Sequence, residues 1–214
     1  MIRVKICGVT NPDDAQAAAE AGADLIGLNF CKQSSRFVSE ANAPKVRAAV
    51  PDHVTAVGVF VNVAPEEVLR VSRSLRLDAA QLHGDESPEV VAAVSCGLPV
   101  FKAFRVSSDF VPEALDRYAQ VAAFLLDASE PGQYGGTGHT IDWALAGRAA
   151  TSHRIILAGG LKPENVAAAI RVVRPYAVDV ASGVEKQPGQ KDHTRLREFI
   201  LEVRRAERQM EARQ

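Results

Sequence analysis

Apolar residues along this chain recur in short runs that alternate with longer, amphipathic segments. Short runs of this kind have the composition of buried strands, and the segments between them carry helix signals. A regular alternation of this type is typical of parallel α/β architectures. The eight predicted strands lie at residues 2–6, 25–29, 54–61, 79–82, 100–104, 123–126, 155–158 and 177–180.

The helix signals are clearest where the helices begin. Asn11 is a predicted N-cap, and Pro12 takes the first helical position, where its fixed backbone angle suits a helix. Pro-Glu pairs at residues 65–66, 88–89 and 163–164 open three further segments. In each pair the negative charge of the glutamate interacts favourably with the positive, N-terminal end of the helix dipole. Near the chain end, one helix face is formed by Leu196, Phe199, Ile200 and Val203.

Eight β-α units in 214 residues predict a single (β/α)8 TIM barrel of the α/β class. A doubly wound open sheet is the alternative, but it rarely needs eight evenly spaced strands, and no G-x-G-x-x-G follows the first strand. No linker-like stretch divides the chain. We therefore expect residues 1–214 to form one domain, in which the polar tail at residues 207–214 frays.

The composition of the chain limits which partners and which cellular compartment we expect. The formal net charge of -1 gives no electrostatic reason to expect nucleic acid or an anionic membrane as a partner. No apolar run reaches the roughly 18 residues that cross a bilayer, and we expect no signal peptide before the first strand. The cysteines Cys7, Cys31 and Cys96 lack metal-ligand spacing. We expect reduced thiols, no metal, no cofactor and a cytoplasmic location.

The first and sixth predicted strands each end beside a group that can move protons. Cys7 follows the first strand and Asp127 the sixth, and chemistry collects at these ends of a parallel barrel. A cysteine there is often only a small buried apolar residue. Lys5 lies two residues earlier on the same strand face, however, and would favour the thiolate, which can act as a base. A thiol base and Asp127 as the acid suit proton transfer without redox or metal chemistry.

Glycine-rich turns follow the last two predicted strands. Gly159 and Gly160 come after the seventh strand, and Ser182 and Gly183 come after the eighth. Glycine lets backbone N–H groups approach a phosphate, and a following helix adds a favourable dipole. Tight turns alone would explain either motif, but as a pair they favour a phosphate site. Another glycine-rich stretch, residues 132–138, follows the sixth strand.

Three further polar side chains lie near predicted strand ends, and each has two interpretations. Arg36 is either a solvated loop charge or a planar fork that binds a second substrate anion. His83 is either a structural turn residue or faces the substrate, and Asp179 either caps the last helix or contacts the substrate. We predict Arg36, His83 and Asp179 as substrate-binding residues.

The motifs, taken in order, resemble the phosphoribosylanthranilate isomerase family. The resemblance runs from residue 3 to about residue 200, and six such motifs in sequence are highly specific. They lie at residues 5–8, 81–86, 126–127, 135–138 with 142–143, 157–166, and 182–185 with 188–192.

The resemblance implies a barrel enzyme of tryptophan synthesis that needs no cofactor. It would convert N-(5-phosphoribosyl)anthranilate to 1-(2-carboxyphenylamino)-1-deoxyribulose 5-phosphate by an Amadori rearrangement. Asp127 would be the general acid that protonates the furanose ring oxygen, and Cys7 the general base that removes the C2 proton. The glycine pair would hold the phosphate, Arg36 the aromatic carboxylate, and Asp179 the region of the amine or sugar.

Two positions depart from the family pattern. Ser35 stands where a proline commonly precedes Arg36, so we expect a more mobile loop. Ala181 stands where the last phosphate loop commonly has a serine, so one hydroxyl is lost beside Ser182.

The same residues argue against several alternative functions. An epimerase, or the next enzyme of the pathway, would use a lysine or paired acids, and Cys7 with Asp127 argues against both. A catalytically inactive barrel that binds phosphosugars or a partner protein is disfavoured because both groups are retained. Dual activity on the analogous histidine-pathway ribonucleotide would need an aspartate in place of Cys7. We expect a phosphosugar substrate as partner, and either a monomer or a homodimer.

Overall fold

Eight parallel strands close into a barrel in which each strand pairs with the next along the chain and β1 pairs with β8. This computed structural model describes residues 1–107, 109–128 and 142–212. The glycine-rich stretch at residues 132–138 lies outside the described residues. The barrel strands are β1 Arg3–Cys7, β2 Leu25–Asn29, β3 Thr55–Phe60, β4 Ala79–Leu82, β5 Val100–Val106, β6 Ala123–Ala128, β7 Ile155–Leu157 and β8 Ala177–Val180.

Helices follow the strands and confirm the (β/α)8 prediction, with one local difference. In the described part of the chain, a 3-10 helix at Pro112–Arg117 stands between β5 and β6 in place of an α-helix. A second 3-10 helix, Ser182–Val184, and a hairpin of β9 Glu185–Gln187 and β10 Gln190–Lys191 follow β8. The α-helices are α1 Pro12–Glu20, α2 Ala43–Ala48, α3 Pro65–Ser74, α4 Pro88–Ser95, α5 Trp143–Ala150, α6 Pro163–Val173 and α7 His193–Glu211.

The predicted helix starts are confirmed. The Asn11 side chain accepts a hydrogen bond from the Asp14 backbone N–H at 2.8 Å and so caps α1. Proline occupies the first position of α3, α4 and α6, each followed by glutamate. The predicted apolar face of α7 is buried, and it seats the helix on the barrel.

Strand alternation divides the barrel into two apolar cores and places the polar residues. One core lies between the strands and the helices, and the smaller one fills the barrel interior. Leu25 belongs to the interior core and is the register partner of Lys5. Because alternate residues of a strand share a face, Lys5 and Cys7 point into the barrel. The same alternation puts Asp127, two residues beyond interior Leu125, at the carboxyl end of the interior.

The part of the chain end that the structure describes, as far as Ala212, contacts the start of the chain. Helix α7 continues to Glu211, and the Glu207 carboxylate accepts a hydrogen bond from the backbone N–H of Ile2. Arg204 donates to the Ile2 carbonyl at 2.6 Å. These contacts tie the last helix to the start of β1, so the polar composition of the tail reflects a solvated helix face. No helix among the described residues is long and apolar enough to cross a membrane.

A truncation tests whether the contacts between α7 and the start of β1 stabilise the protein. Deletion of residues 207–214 removes the carboxylate that holds the start of β1, and we expect the free energy of unfolding to fall by about 1–2 kcal/mol. Deletion of residues 212–214 leaves the helix contacts in place and serves as the control. Equal stability of the two truncated proteins in urea denaturation would show that the tail contributes nothing.

Candidate active site

Cys7 and Asp127 both lie inside the barrel where β1 and β6 end. Cys7 is the last residue of β1 and Asp127 the fifth of β6, and both are buried. Burial lowers the pKa of Arg36, but the hydrogen bonds and the charge of Glu185, with smaller contributions from Cys7 and Asp127, together outweigh burial. The net result is a raised pKa. Arg36 thus lies within electrostatic range of both the predicted base and the predicted acid.

A buried ion pair lies beneath the Cys7 thiol. Lys5 Nζ is 2.9 Å from Asp179 Oδ1, and the two residues are register partners on β1 and β8. Burial lowers the pKa of Lys5, but Asp179 and then Cys7 outweigh burial, so the pKa is raised and Lys5 stays charged. Asp179 lies inside the barrel with its carboxylate on Lys5, and it makes no N-cap contact with α7, which is capped by Asp192.

Burial dominates the protonation of Cys7. It raises the pKa of the thiol; the Lys5 ammonium lowers it, and the Asp179 carboxylate raises it again. The net pKa is above the ordinary value. Lys5 therefore acts in the predicted direction, but it does not produce a resting thiolate, because the thiol is buried and Asp179 offsets part of the Lys5 charge.

Gly27 makes room for this arrangement, and sequence reasoning did not single it out. It is the register partner of Cys7 on β2. A Cβ at this position would lie 2.9 Å from Cys7 Sγ and 3.1 Å from Lys5 Nζ. Both side chains therefore fill the space that any other residue would need.

His83 lies beside Asp127. Its Nδ1 is 2.7 Å from Gln81 Nε2, and its Nε2 is 3.4 Å from Asp127 Oδ2. If the Gln81 amide donates to Nδ1, the imidazole proton lies on Nε2 and points toward the carboxylate. The other carboxylate oxygen, Oδ1, accepts from the Ala128 backbone N–H at 2.8 Å. Among the described residues, the buried His83 Nε2 has no hydrogen-bond partner, so it can donate to Asp127 or to a ligand.

The loop that carries His83 is held by a buried acid to which the sequence analysis gave no role. Glu86 accepts hydrogen bonds from the backbone N–H groups of Gly84 and Asn62 at 3.0 and 2.9 Å. Lys102 Nζ lies 3.0 Å from the same carboxylate. These contacts fix the path of the chain between β4 and α4.

The glycine turns after β7 and β8 meet at one pocket. A Cβ on Gly183 would lie 1.9 Å from the Leu161 carbonyl oxygen, so the two turns are in direct contact. Gly160 has a left-handed φ of 61°. The pocket brings together three of the four predicted phosphate residues, two basic residues that were not predicted and one carboxylate. Its polar and glycine lining consists of Gly160, Lys162, Ser182, Gly183, Glu185 and Arg195.

Gly159, the fourth predicted phosphate residue, plays a packing role. A Cβ there would lie 2.5 Å from the Ala128 backbone nitrogen and 3.1 Å from Asp127 Oδ1. Its φ of 79° is also one that favours glycine. Gly159 thus lets the turn after β7 approach the Asp127 carboxylate.

Arg36 is paired within the protein. Its Nε and Nη2 donate to the two carboxylate oxygens of Glu185, at 2.9 and 2.7 Å. Glu185 also accepts from Lys191 Nζ at 2.9 Å. Neither Glu185 nor Lys191 was predicted as a site residue, although both lie inside the last resemblance motifs. Arg36 is held in place even though Ser35 replaces the common proline.

The chain forms a closed (β/α)8 barrel with a thiol, an imidazole and carboxylates at the carboxyl ends of its strands. This arrangement is typical of barrel enzymes. The glycine-lined pocket formed by the turns after β7 and β8 lies where many barrels of this class bind a phosphate group. The chain belongs to the N-(5'-phosphoribosyl)anthranilate isomerase family, whose model matches residues 4–202.

Individual relatives agree with this assignment. The chain is 51% identical over 207 residues to the N-(5'-phosphoribosyl)anthranilate isomerase of Trichlorobacter lovleyi, covering 96% of this chain and 100% of the relative. The Thermus thermophilus phosphoribosyl anthranilate isomerase structure superposes with a TM-score of 0.87 at 40% identity, covering 95% and 99% of the two chains. An isomerase solved with reduced 1-(o-carboxyphenylamino)-1-deoxyribulose 5-phosphate gives a TM-score of 0.83 at 40% identity, with the same coverage.

Gly27→Ala tests the crowding around the thiol. The added methyl group would meet Cys7 Sγ and Lys5 Nζ, so we expect a loss of about 1–3 kcal/mol in the free energy of unfolding. Gly22→Ala is a contrasting variant: Gly22 has a positive φ, and a Cβ there would meet Ile200 only at an ordinary contact distance of 3.9 Å, so its cost is backbone strain alone. Wild-type stability of Gly27→Ala in urea denaturation would show that the interior adjusts freely.

The Lys5–Asp179 pair predicts pH shifts of opposite sign for the Cys7 thiol. Lys5→Met removes the charge that lowers the thiol pKa, so thiolate should form at higher pH; Asp179→Asn removes a charge that raises it, so thiolate should form at lower pH. Thiolate absorbance near 240 nm, followed in a Cys31→Ser/Cys96→Ser background, reports the titration. The double variant Lys5→Met/Asp179→Asn is the control for loss of both charges. Shifts of the same sign in both single variants would contradict the assignment.

Proposed function

We propose that this chain isomerises N-(5-phosphoribosyl)anthranilate to 1-(2-carboxyphenylamino)-1-deoxyribulose 5-phosphate in tryptophan biosynthesis. The observation that carries the proposal is the placement of Cys7 and Asp127 inside one barrel mouth, in a chain of this isomerase family. The family relative solved with a reduced form of that product supports the substrate class.

Asp127 is the proposed general acid. One of its oxygens is held by the Ala128 N–H, and the other faces the imidazole of His83. The carboxylic acid proton goes to the furanose ring oxygen, the C1–O bond breaks, and the ring opens to a Schiff base. The His83 Nε2–H donates toward the carboxylate that remains and stabilises its charge.

Cys7 is the proposed general base. Its thiolate takes the proton from C2 of the Schiff base, and the electron pair moves to give an enolamine, which tautomerises to the ketone. Because burial raises the thiol pKa, the thiolate is a minor but strongly basic species at neutral pH. The nearby Lys5 ammonium stabilises it.

The rest of the cavity matches the remaining parts of the substrate. The pocket formed by Gly160, Ser182 and Gly183 is the proposed phosphate site. Gly159 lets the turn that carries Gly160 lie close to Asp127. Arg36 is proposed to bind the aromatic carboxylate, and Asp179 to contact the amine or sugar from its position on Lys5. The substrate would thus extend across the barrel mouth from β8 toward the loop after β2.

We also propose a single-domain enzyme of the cytoplasm whose partner is the small-molecule substrate, with no nucleic acid or membrane involved. Both a monomer and a homodimer are consistent with the family, since one Thermotoga maritima relative is described as monomers generated from a dimeric enzyme. Light scattering after size-exclusion chromatography decides between the two states.

Turnover of the substrate, made in situ, tests the function through loss of its anthranilate fluorescence, with the indole-forming next enzyme in excess. We expect Cys7→Ala and Asp127→Asn to lower kcat by about 100-fold or more, because each removes one proton-transfer group. Cys96→Ala is the matched control, since Cys96 is an exposed cysteine on the outside of the barrel.

Two results would contradict the proposal. Folded wild-type protein that leaves the fluorescence unchanged would exclude the isomerase activity and favour a phosphosugar-binding barrel. Comparable kcat/KM values on the histidine-pathway ribonucleotide would contradict the narrow substrate range expected from Cys7.

A further inference from the structure

Glu185, the first residue of β9, is a buried carboxylate with cations on both sides. Oε1 accepts from Arg36 Nε and from Lys191 Nζ, each at 2.9 Å, and Oε2 accepts from Arg36 Nη2 at 2.7 Å. Only 3% of the Glu185 side chain is exposed. Burial raises the pKa of Glu185, but Arg36 and Lys191 outweigh burial, so it stays ionised.

Lys191 anchors this carboxylate to the barrel wall. Its Nζ also donates to the carbonyl oxygen of Cys7 at 2.6 Å and to that of Ala181 at 3.2 Å. Those carbonyls belong to the carboxyl ends of β1 and β8. Glu185, and through it Arg36, is therefore fixed relative to the backbone of the proposed base.

The geometry leaves one edge of Arg36 free. A guanidinium offers a carboxylate either the Nε–Nη2 edge or the Nη1–Nη2 edge. Glu185 takes the Nε–Nη2 edge in a bidentate contact. Among the described residues, Nη1 makes no hydrogen bond, so the Nη1–Nη2 edge is open to a second acceptor.

We propose that Glu185 is a positioning residue that holds Arg36 with its open edge toward the aromatic carboxylate of the substrate, and so sets the preference for a carboxylated ring. This inference rests on the proposed isomerase function and adds a residue to it. A fork that is already oriented loses little freedom when the substrate binds, which strengthens binding of the matching anion. Lys191 supplies the charge that keeps Glu185 from repelling the incoming carboxylate.

The opposite role would be a competitor that keeps Arg36 occupied until the substrate displaces Glu185. The two roles predict opposite signs. Removing the Glu185 charge should weaken binding of a carboxylated ligand if Glu185 positions Arg36, and should strengthen it if Glu185 competes for Arg36.

The test compares N-(5-phosphoribosyl)anthranilate with N-(5-phosphoribosyl)aniline, which lacks the carboxylate, as substrates for wild type and Glu185→Gln. We expect the kcat/KM ratio of the two substrates to fall by about tenfold in the variant, mainly through KM, the effect of one weakened charged contact. Glu202→Gln, which changes a partly exposed glutamate paired with Arg205 on α7, is the matched control. An unchanged ratio, or an increased one, would overturn the inference.

A second variant separates positioning from folding. Arg36→Lys keeps the charge but loses the fork, and combined with Glu185→Gln it should cost no more than Arg36→Lys alone, because both changes act on one contact. Additive losses would overturn the inference. Calorimetric binding of the reduced product analogue and of its aniline counterpart gives the same ratio without turnover. Failure of the proposed function would thus appear as inactive wild type, whereas failure of this inference would appear as an unaltered ratio.

Discussion

The interior of this barrel depends on the ion pair between Lys5 and Asp179. The two residues come from the first and last strands, 174 positions apart, and join them inside the barrel where water is excluded. Removing one partner of such a pair typically costs about 3–5 kcal/mol, because the other charge is left buried and uncompensated. Burial keeps the neighbouring Cys7 a thiol at rest, and Asp179 offsets part of the effect of the Lys5 ammonium beside it.

A second lysine, Lys191, also joins the first and last strands, at their carboxyl ends. Lys191 binds the carbonyl oxygens that end β1 and the segment after β8, and through Glu185 it reaches Arg36 in the loop after β2. The two lysines therefore act at successive depths: Lys5 sets the electrostatics around the sulfur, and Lys191 fixes the wall on which the proposed carboxylate site is built. The interactions that join the first and last strands therefore also determine the geometry of the candidate site.

Local signals explain why the fold could be predicted. The apolar runs place all eight strands, with ends that move by one or two residues, and the caps at Asn11 and the Pro-Glu pairs act within one turn of helix. Cys7 and Asp127 could be placed because a strand end in a parallel barrel has a known position. Gly27, Glu185 and Lys191 could not be found in this way, because their roles depend on partners far along the chain. The resting protonation of Cys7 likewise depends on burial, which spacing does not reveal.

The contacts of α7 with the start of β1 also determine what can be attached to the molecule. Ile2 is bound by Arg204 and Glu207, so the start of the chain and the last turns of α7 lie side by side at the amino-terminal face of the barrel. The proposed substrate site lies on the opposite face, at the carboxyl ends of the strands. A second protein domain fused to either end would thus lie behind the barrel and leave the entrance clear. New termini could be opened elsewhere by a short link between the present ones, since adjacent ends are the geometry that tolerates circular permutation.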